Sequence, residues 1–316
     1  MDMRVSGRNP NRAYIAWSFT SMCNQACWYC PENLHDGKVP FPDFDDAIYL
    51  IDLIYEKHSD VFVNISGGET TMWPKLPHFL RTAIKKYPQI VIEIDTNGSR
   101  TRNWWKRFSQ LGLQNNVVLN MCHHAAQCDP ELFYDNVKTV SEAGFAVTAN
   151  YMLDPPYFDV SRKLYERTKQ LNAYTTIKVL RKNFDGTEMI DGYTDEMLDY
   201  IVKSHKEIHE KVLDNKPDVD WNIRLHYDGV PVNFQEKIIN HENSYQFWSC
   251  SAGNKRIIIH LDGSVWPCYE LAKTRDPKYY LGNIHKRDVR LFNEDIICPA
   301  SYCGCLHDAL AEKHDE

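Results

Sequence analysis

The 316-residue chain lacks any long apolar run. Its apolar stretches are as short as Ile257-Ile258-Ile259, so no segment is expected to span a bilayer. It also lacks an excess of positive charge. Lys and Arg number 36 against 43 Asp and Glu, a net charge of −7 with His neutral. That balance argues against a broad nucleic-acid or anionic-membrane footprint, while leaving room for a local basic pocket. Residues 1–10 hold Asp2, Arg4 and Arg8 and no apolar h-region. No secretory signal is therefore expected, and the cytoplasm is the default compartment. No internal repeat and no low-complexity tract interrupts an otherwise ordinary composition, 43% hydrophobic and 25% charged. The length suits one large or two modest domains.

What the chain does have is cysteine, ten in all. In a reducing compartment clustered thiols read as metal ligands or catalysts rather than as disulfides. Cys23, Cys27 and Cys30 sit together, and Cys250, Cys268, Cys298, Cys303 and Cys305 form a looser C-terminal group. Cys122 and Cys128 stand between them.

From residue 13 to about 180 the sequence alternates β-rich runs with amphipathic helical stretches. Strands are expected at Tyr14–Phe19, Val61–Ile65, Ile90–Ile94, Val117–Met121, Phe145–Tyr151 and Thr175–Leu180. Between them Phe44, Ile48, Ile51 and Tyr55 recur at spacings of three and four, and Asp129-Pro130 reads as a helix N-cap and first position. Strand-then-helix repetition implies parallel strands with right-handed crossovers, in a partial barrel or a doubly wound sheet. After Arg181 the pattern changes. A polar connector, Lys182 to Gly192, leads to a long helix capped by Thr194. A hairpin is expected over Trp221, Ile223, Leu225 and Tyr227 with an Asp228-Gly229 turn, and a clearer one at Arg256–Leu261, Asp262-Gly263, Ser264–Tyr269. The implied division is an N-terminal segment 1–12, a core 13–181, a connector 182–245 and a cysteine-rich region 246–316.

Three thiolates in Cys23-Asn-Gln-Ala-Cys27-Trp-Tyr-Cys30-Pro can converge on zinc, with His35 as a nearby fourth ligand, or on an iron–sulfur cluster. Position favours the cluster. Ligand sites in α/β sheets gather at the carboxyl ends of the strands. The distinctive residues fall there repeatedly: the cysteine loop, then Ser66-Gly67-Gly68-Glu69-Thr70, Asp95-Thr96-Asn97-Gly98-Ser99, Cys122-His123-His124, and Asn150 toward Asp154-Pro155.

Cys-x3-Cys-x2-Cys after the first strand, with Tyr29 before the last cysteine and Gly-Gly-Glu after the second strand, resembles the radical S-adenosylmethionine (SAM) superfamily. The resemblance implies an α/β fold, a partial (β/α)6 TIM-like barrel. It implies a [4Fe–4S] cluster on Cys23, Cys27 and Cys30, with SAM chelating the fourth iron. Gly67 and Gly68 would allow close backbone approach to a ligand, and Glu69, beside Thr70, would meet the methionine amino group. Asn97 suits the ribose hydroxyls or a type I′ Asn-Gly turn, Tyr29 suits adenine or loop packing, and Asn150 suits the barrel interior or a satisfied core amide.

Cys250 leads into the second hairpin, Cys268 lies five residues after Gly263, and Cys298-Pro-Ala-Ser-Tyr-Cys303-Gly-Cys305 follows. This resembles the SPASM and twitch auxiliary-cluster extensions, a small C-terminal cysteine-rich hairpin and loop domain. Five cysteines suit a shortened form with one auxiliary [4Fe–4S] cluster, on Cys250, Cys268, Cys303 and Cys305 with Cys298 as a substitute; a zinc knuckle is the alternative.

Weaker signals are Cys122 as a hydrogen donor, His123 and His124 as substrate contacts or acid–base groups, His205 and His209 one turn apart, and Arg181 as an anion contact. The functional expectation is an oxidoreductase-type enzyme that cleaves SAM reductively and takes hydrogen from a small sugar- or cyclitol-like molecule. The few residues before the first strand tilt the reading away from a fused leader-peptide domain, with peptide modification as the alternative. A flavodoxin or ferredoxin would supply electrons. A non-catalytic zinc-binding interaction protein is the reading from another class.

Overall fold

The computed structural model describes residues 3–6, 9, 11–182, 189–214, 225–232, 237 and 242–315. In chain order the larger elements are β1 (Arg4–Ser6), β2 (Ala13–Thr20), α1 (Phe44–Tyr55), β3 (Val61–Gly67), α2 (Leu76–Lys86), β4 (Val91–Thr96) and α3 (Arg102–Ser109). They continue with β5 (Val117–His123), α4 (Pro130–Glu142), β6 (Ala146–Leu153), α5 (Phe158–Thr168), β7 (Tyr174–Val179) and α6 (Asp195–Asp214). The C-terminal part holds β8 (Leu225–Tyr227), β9 (Val230–Val232), β10 (Ser249–Cys250), β11 (Arg256–Ile259), β12 (Ser264–Trp266) and α7 (Tyr269–Thr274). It ends with β13 (Gly282–Asn283), β14 (Ile296–Ile297), α8 (Leu306–Ala309) and β15 (Lys313–His314).

Strands β2 to β7 pair in sequence order, all parallel, and form the six-unit partial barrel. All six expected core strands are present, each within a few residues of its expected limits. Alternation along each strand separates two faces. Ile15, Trp17, Val63, Ile65, Ile92, Ile94, Leu119, Met121, Val147 and Ala149 are buried in the main core under the helices. The opposite face points into the barrel. Helix starts follow local chemistry: the Asp129 carboxylate accepts from the Leu132 N–H at 2.7 Å with Pro130 following, and Thr194 Oγ1 accepts from the Met197 N–H at 3.3 Å. No helix among the described residues is long and apolar enough to cross a membrane.

The hairpin at Asp262-Gly263 is β11–β12, and β11 pairs in parallel with β2. The cysteine-rich part therefore extends the barrel sheet to nine strands in the order β13-β12-β11-β2-β3-β4-β5-β6-β7. A second sheet, β14-β10-β15-β1-β8-β9, gathers both ends of the chain, with Val5 opposite Lys313. The expected first hairpin is β8–β9, its turn residues Asp228 and Gly229 both at positive φ (49° and 80°). Trp221 and Ile223 lie outside the described residues, as do residues 183–188 of the connector and the side chains of His205 and His209.

Candidate functional site

The carboxyl ends of the barrel strands meet the cysteine loop through backbone. The Gly68 N–H donates to Thr20 O and the Glu69 N–H to Met22 O, both at 2.7 Å. A Cβ on Gly68 would lie 2.2 Å from Met22 O, and one on Gly67, at φ 127°, 2.4 Å from Thr20 O. Among the described residues, the close approach that these glycines permit is to the cysteine loop itself.

Glu69 is fully buried. Its carboxylate accepts from the Thr71 N–H at 3.0 Å, the Thr71 hydroxyl, the Thr96 hydroxyl at 2.6 Å and the Asn97 N–H at 2.7 Å. Burial pushes its pKa up and these donors pull it down. Four donors on two oxygens make it the staple between the ends of β3 and β4 rather than an open carboxylate. Thr70, beside it, is fully buried with its hydroxyl unpartnered among the described residues.

Asn97 adopts negative φ with Gly98 at 67°, so the Asn-Gly pair is not a type I′ turn. Its Nδ2 donates to Asn24 Oδ1 at 2.9 Å, and Asn24 Nδ2 donates to Ser99 Oγ at 2.8 Å. Asn24, inside the cysteine loop, is a site residue that spacing alone did not single out. The loop is tied on its other side by Trp28, whose indole donates to Asp154 Oδ2 at 2.9 Å. Asp154 is 1% exposed and its Oδ1 is unpartnered among the described residues.

Tyr29 and His124, read separately from sequence, come together: the Tyr29 hydroxyl and His124 Nδ1 are 2.6 Å apart. Burial lowers the His124 pKa to about 4, so the ring is neutral near pH 7. His123 is a correction. As the last residue of β5 it faces the helices, fully buried between the rings of Phe133 (5.0 Å) and Tyr151 (5.9 Å), and it meets no ligand space. His35 is another: its Nδ1 lies 3.1 Å from Pro31 O, closing a local turn.

The three loop cysteines are free thiols, Cys27 buried and Cys23 and Cys30 partly so. Burial, then repulsion from Cys30, raises the Cys27 pKa to about 12; burial, then Cys23, raises Cys30 to about 11; burial raises Cys23. They are therefore within electrostatic reach of one another. The Gln25 N–H reaches Cys23 Sγ at 3.4 Å, and the Cys27 thiol reaches Gln25 Oε1 at 3.8 Å. No group of three or more His, Cys, Asp or Glu among the described residues is gathered to hold a single metal ion. Four thiolates on one zinc would sit about 3.8 Å apart, from a Zn–S bond of about 2.3 Å in a tetrahedron. A cubane instead takes each cysteine at a separate iron corner, a demand that three neighbouring thiols on one loop can meet.

Below the loop the barrel interior is polar. Asn64 Nδ2 donates to Glu93 Oε2 at 2.7 Å and Asn120 Nδ2 to Asp95 Oδ1 at 2.6 Å; Asn150 Nδ2 donates to Asn120 Oδ1. Cys122 lies opposite Asn150 in the β5–β6 register and Met152 opposite Lys178. Asn150 thus faces inward as expected, and it is also a satisfied amide. Burial, then the neighbouring Glu93, raises the Asp95 pKa to about 6, and burial raises Cys122 to about 12.

In the C-terminal region Cys250 lies on β10, Cys268 caps α7, and Cys303 is held by Asn243, with the Cys303 N–H donating to Asn243 O at 3.0 Å and Asn243 Nδ2 to Cys303 O at 2.7 Å. Cys250, Cys268 and Cys298 pack with Ala252, Ala311 and Ile296. Burial raises the thiol pKa of Cys250, Cys268, Cys298 and Cys303, and Cys250 and Cys303 add to it at Cys268. Cys305 instead contacts His307, whose Nε2 stands 3.5 Å from Glu93 Oε2 at the barrel base. Thiols brought from separate stretches of chain into an apolar sheath, where they hold their protons, suit a bound group that replaces those protons.

A family model described as the Radical SAM superfamily matches residues 17–167, and a second, SPASM, the iron–sulfur cluster-binding domain, matches 250–295. Comparison with curated protein sequences gives no match. Among solved structures, native anSMEcpe with bound AdoMet is 15% identical with a TM-score of 0.56, covering 88% of this chain and 78% of that one. Native anSMEcpe with bound AdoMet and Cp18Cys peptide gives 15% and 0.55, covering 88% and 80%. SuiB of Streptococcus suis bound to S-adenosylmethionine gives 11% and 0.55, covering 88% of this chain and 64% of that one. At these identities the likeness shows the fold. The motif-bearing strand ends and the two matched domains lead to one conclusion: the chain belongs to the radical SAM superfamily, with a C-terminal SPASM domain, and is an enzyme built for a [4Fe–4S] cluster, SAM and auxiliary iron–sulfur ligation.

Proposed function

We propose that the chain dehydrogenates a small polyhydroxylated molecule, sugar- or cyclitol-like, held inside the barrel. The observation that carries this reading is the interior wall of Glu93, Asp95, Asn120, Asn150 and Cys122, a surface of hydrogen-bonding groups where an apolar plug would otherwise stand. When bound, SAM and its cluster supply the hydrogen-abstracting radical, and an auxiliary cluster supplies the sink for the remaining electron. The protein's own groups do the rest. Cys23, Cys27 and Cys30 hold the first cluster, Asn97 and Asn24 orient the ribose, and the Tyr29–His124 pair lines the adenine side. Asp95 is placed to hold the proton that an alcohol loses.

At the second site Cys250, Cys268, Cys298 and Cys303 make the ligand set. Cys298 packs with Cys250 and Cys268, whereas Cys305 is engaged by His307. Electrons come from a flavodoxin or ferredoxin in the cytoplasm. The test is anaerobic incubation with SAM and candidate polyols, following 5′-deoxyadenosine and a substrate mass loss of two hydrogens. Deoxyadenosine formed only with peptides would replace this reading by peptide modification, the class suggested by the peptide complexes of anSMEcpe and SuiB. A colourless protein with stoichiometric zinc, rather than a brown one with about eight iron and eight sulfide, would defeat both.

A further inference from the structure

Strand β15 begins with a lysine in a place where an ammonium is costly to bury. Lys313 is 2% exposed. Its Nζ donates to the carbonyls of Asp308 (2.8 Å), Ala309 (3.1 Å) and Ala311 (2.8 Å) and lies 5.1 Å from the Tyr245 ring centroid. All of these partners are neutral. No carboxylate among the described residues forms an ion pair with Lys313. Asp308 is taken by Arg256, at 2.9 and 2.7 Å, and Glu312 by Lys255 at 2.7 Å and by Arg4.

The charge faces the C-terminal thiols. Lys313 is the register partner of Cys250 across β10 and β15. Cys250, Cys298 and Cys303, three residues far apart in sequence, all lie within reach of the field of its ammonium. The acidic groups around them act in the opposite sense: Asp295 on Cys250, Asp308 on Cys268, Cys298 and Cys303, and Glu270 on Cys298. Of these, Asp308 is matched by the buried Arg256 and Glu270 by Lys273 at 2.9 Å. One buried positive charge without a carboxylate partner is left against the cysteines.

We propose that Lys313 is the built-in countercharge of the auxiliary cluster, a positioning residue that favours its more negative, reduced state and so raises its midpoint potential. This rests on the auxiliary-cluster reading of Cys250, Cys268, Cys298 and Cys303. Net charge and hydrogen bonding near the sulfurs are the levers by which a protein sets such potentials. The alternative is a purely structural lysine that closes the turn after α8.

The test is an anaerobic redox titration of the full chain with dithionite, read by paramagnetic resonance. The SAM cluster is identified as the signal that changes on SAM addition and serves as an internal reference. In Lys313→Met the oxidised-to-reduced ratio of the auxiliary cluster at a fixed potential should rise about tenfold, a shift of about 59 mV to more negative values. The SAM-cluster midpoint should not move, and Lys313→Arg should keep the wild-type auxiliary value. A fully loaded Lys313→Met protein with an unmoved auxiliary midpoint would overturn the proposal. Where Lys313→Met fails to load, a Lys313→Arg protein that loads with the wild-type potential supports it, and one that also fails to load overturns it, since shape and not charge would then decide. Wild-type protein with iron and sulfide for one cluster only would instead remove the auxiliary-cluster reading itself.

Discussion

The two cysteine sites of this chain are built in opposite ways. The N-terminal one is local: three thiols within one loop, two of them partly exposed, held at the barrel mouth by polar ties to Asn97, Ser99 and Asp154. The C-terminal one is assembled from β10, the start of α7 and the loop before α8, and is sheathed in apolar side chains with a buried cation alongside. An open loop with a free corner suits a cluster that must take in a ligand at each turnover. A closed cage suits one that exchanges electrons. The first lies at the end of β2 in the nine-stranded sheet, whereas Cys250 lies on β10 of the second sheet; β11, which runs parallel to β2, brings the C-terminal region against the barrel.

The largest expected difference is functional. Cys27→Ala should abolish 5′-deoxyadenosine formation under dithionite while leaving about half of the iron in the C-terminal site; undiminished product would contradict the ligand assignment. Next, Cys298→Ser should strip iron from the C-terminal site and Cys305→Ser should not. The reverse pattern would return Cys305 to the ligand set.

A structural break follows. Gly68→Ala forces a methyl to 2.2 Å from Met22 O and should unseat the cysteine loop, at a cost of about 1–3 kcal/mol by overpacking. Thermal unfolding and SAM affinity measure it, and an unchanged pair would show that the loop gives way freely.

Within the barrel, Asp95 has a folded pKa near 6, above its unfolded value, so its contribution is present below about pH 4 and lost as pH rises through 6. Asp95→Asn should therefore gain stability over wild type at pH 7.5, on the order of 1–3 kcal/mol, with the gap closing in acid. Urea unfolding at the two pH values tests the sign. Of similar size is Trp28→Phe, which takes the indole donor from the buried Asp154 carboxylate; a loss of about 1–3 kcal/mol is expected in the same assay.

Much of the fold was legible because its signals are local. Val-, Ile- and aromatic-rich runs such as Tyr14–Phe19 need only alternate to announce strands, and Asp129-Pro130 caps its helix through contacts within four residues. Gly67 and Gly68 announce in sequence that something comes close, because a Cβ is missing, but not that the cysteine loop is one such neighbour. His123 and His124 are neighbours in sequence with opposite fates, since one step past the end of β5 decides between the helix layer and the barrel mouth. Lys313 gave no signal at all: a lysine in a charged tail reads as solvated.

By itself, then, the sequence determined the six-unit α/β repeat, the three-thiol loop at its first strand end and the hairpin that follows Cys250, all properties of short spans with strong spacing. Only the tertiary structure decided that β11 joins the barrel sheet, that Asn24 meets Asn97, that Tyr29 meets His124, and that both chain ends close one sheet around Lys313. Those pairings join residues tens to hundreds of positions apart, where the loss of chain entropy is offset only by the packing of the whole molecule, and no local pattern encodes that balance.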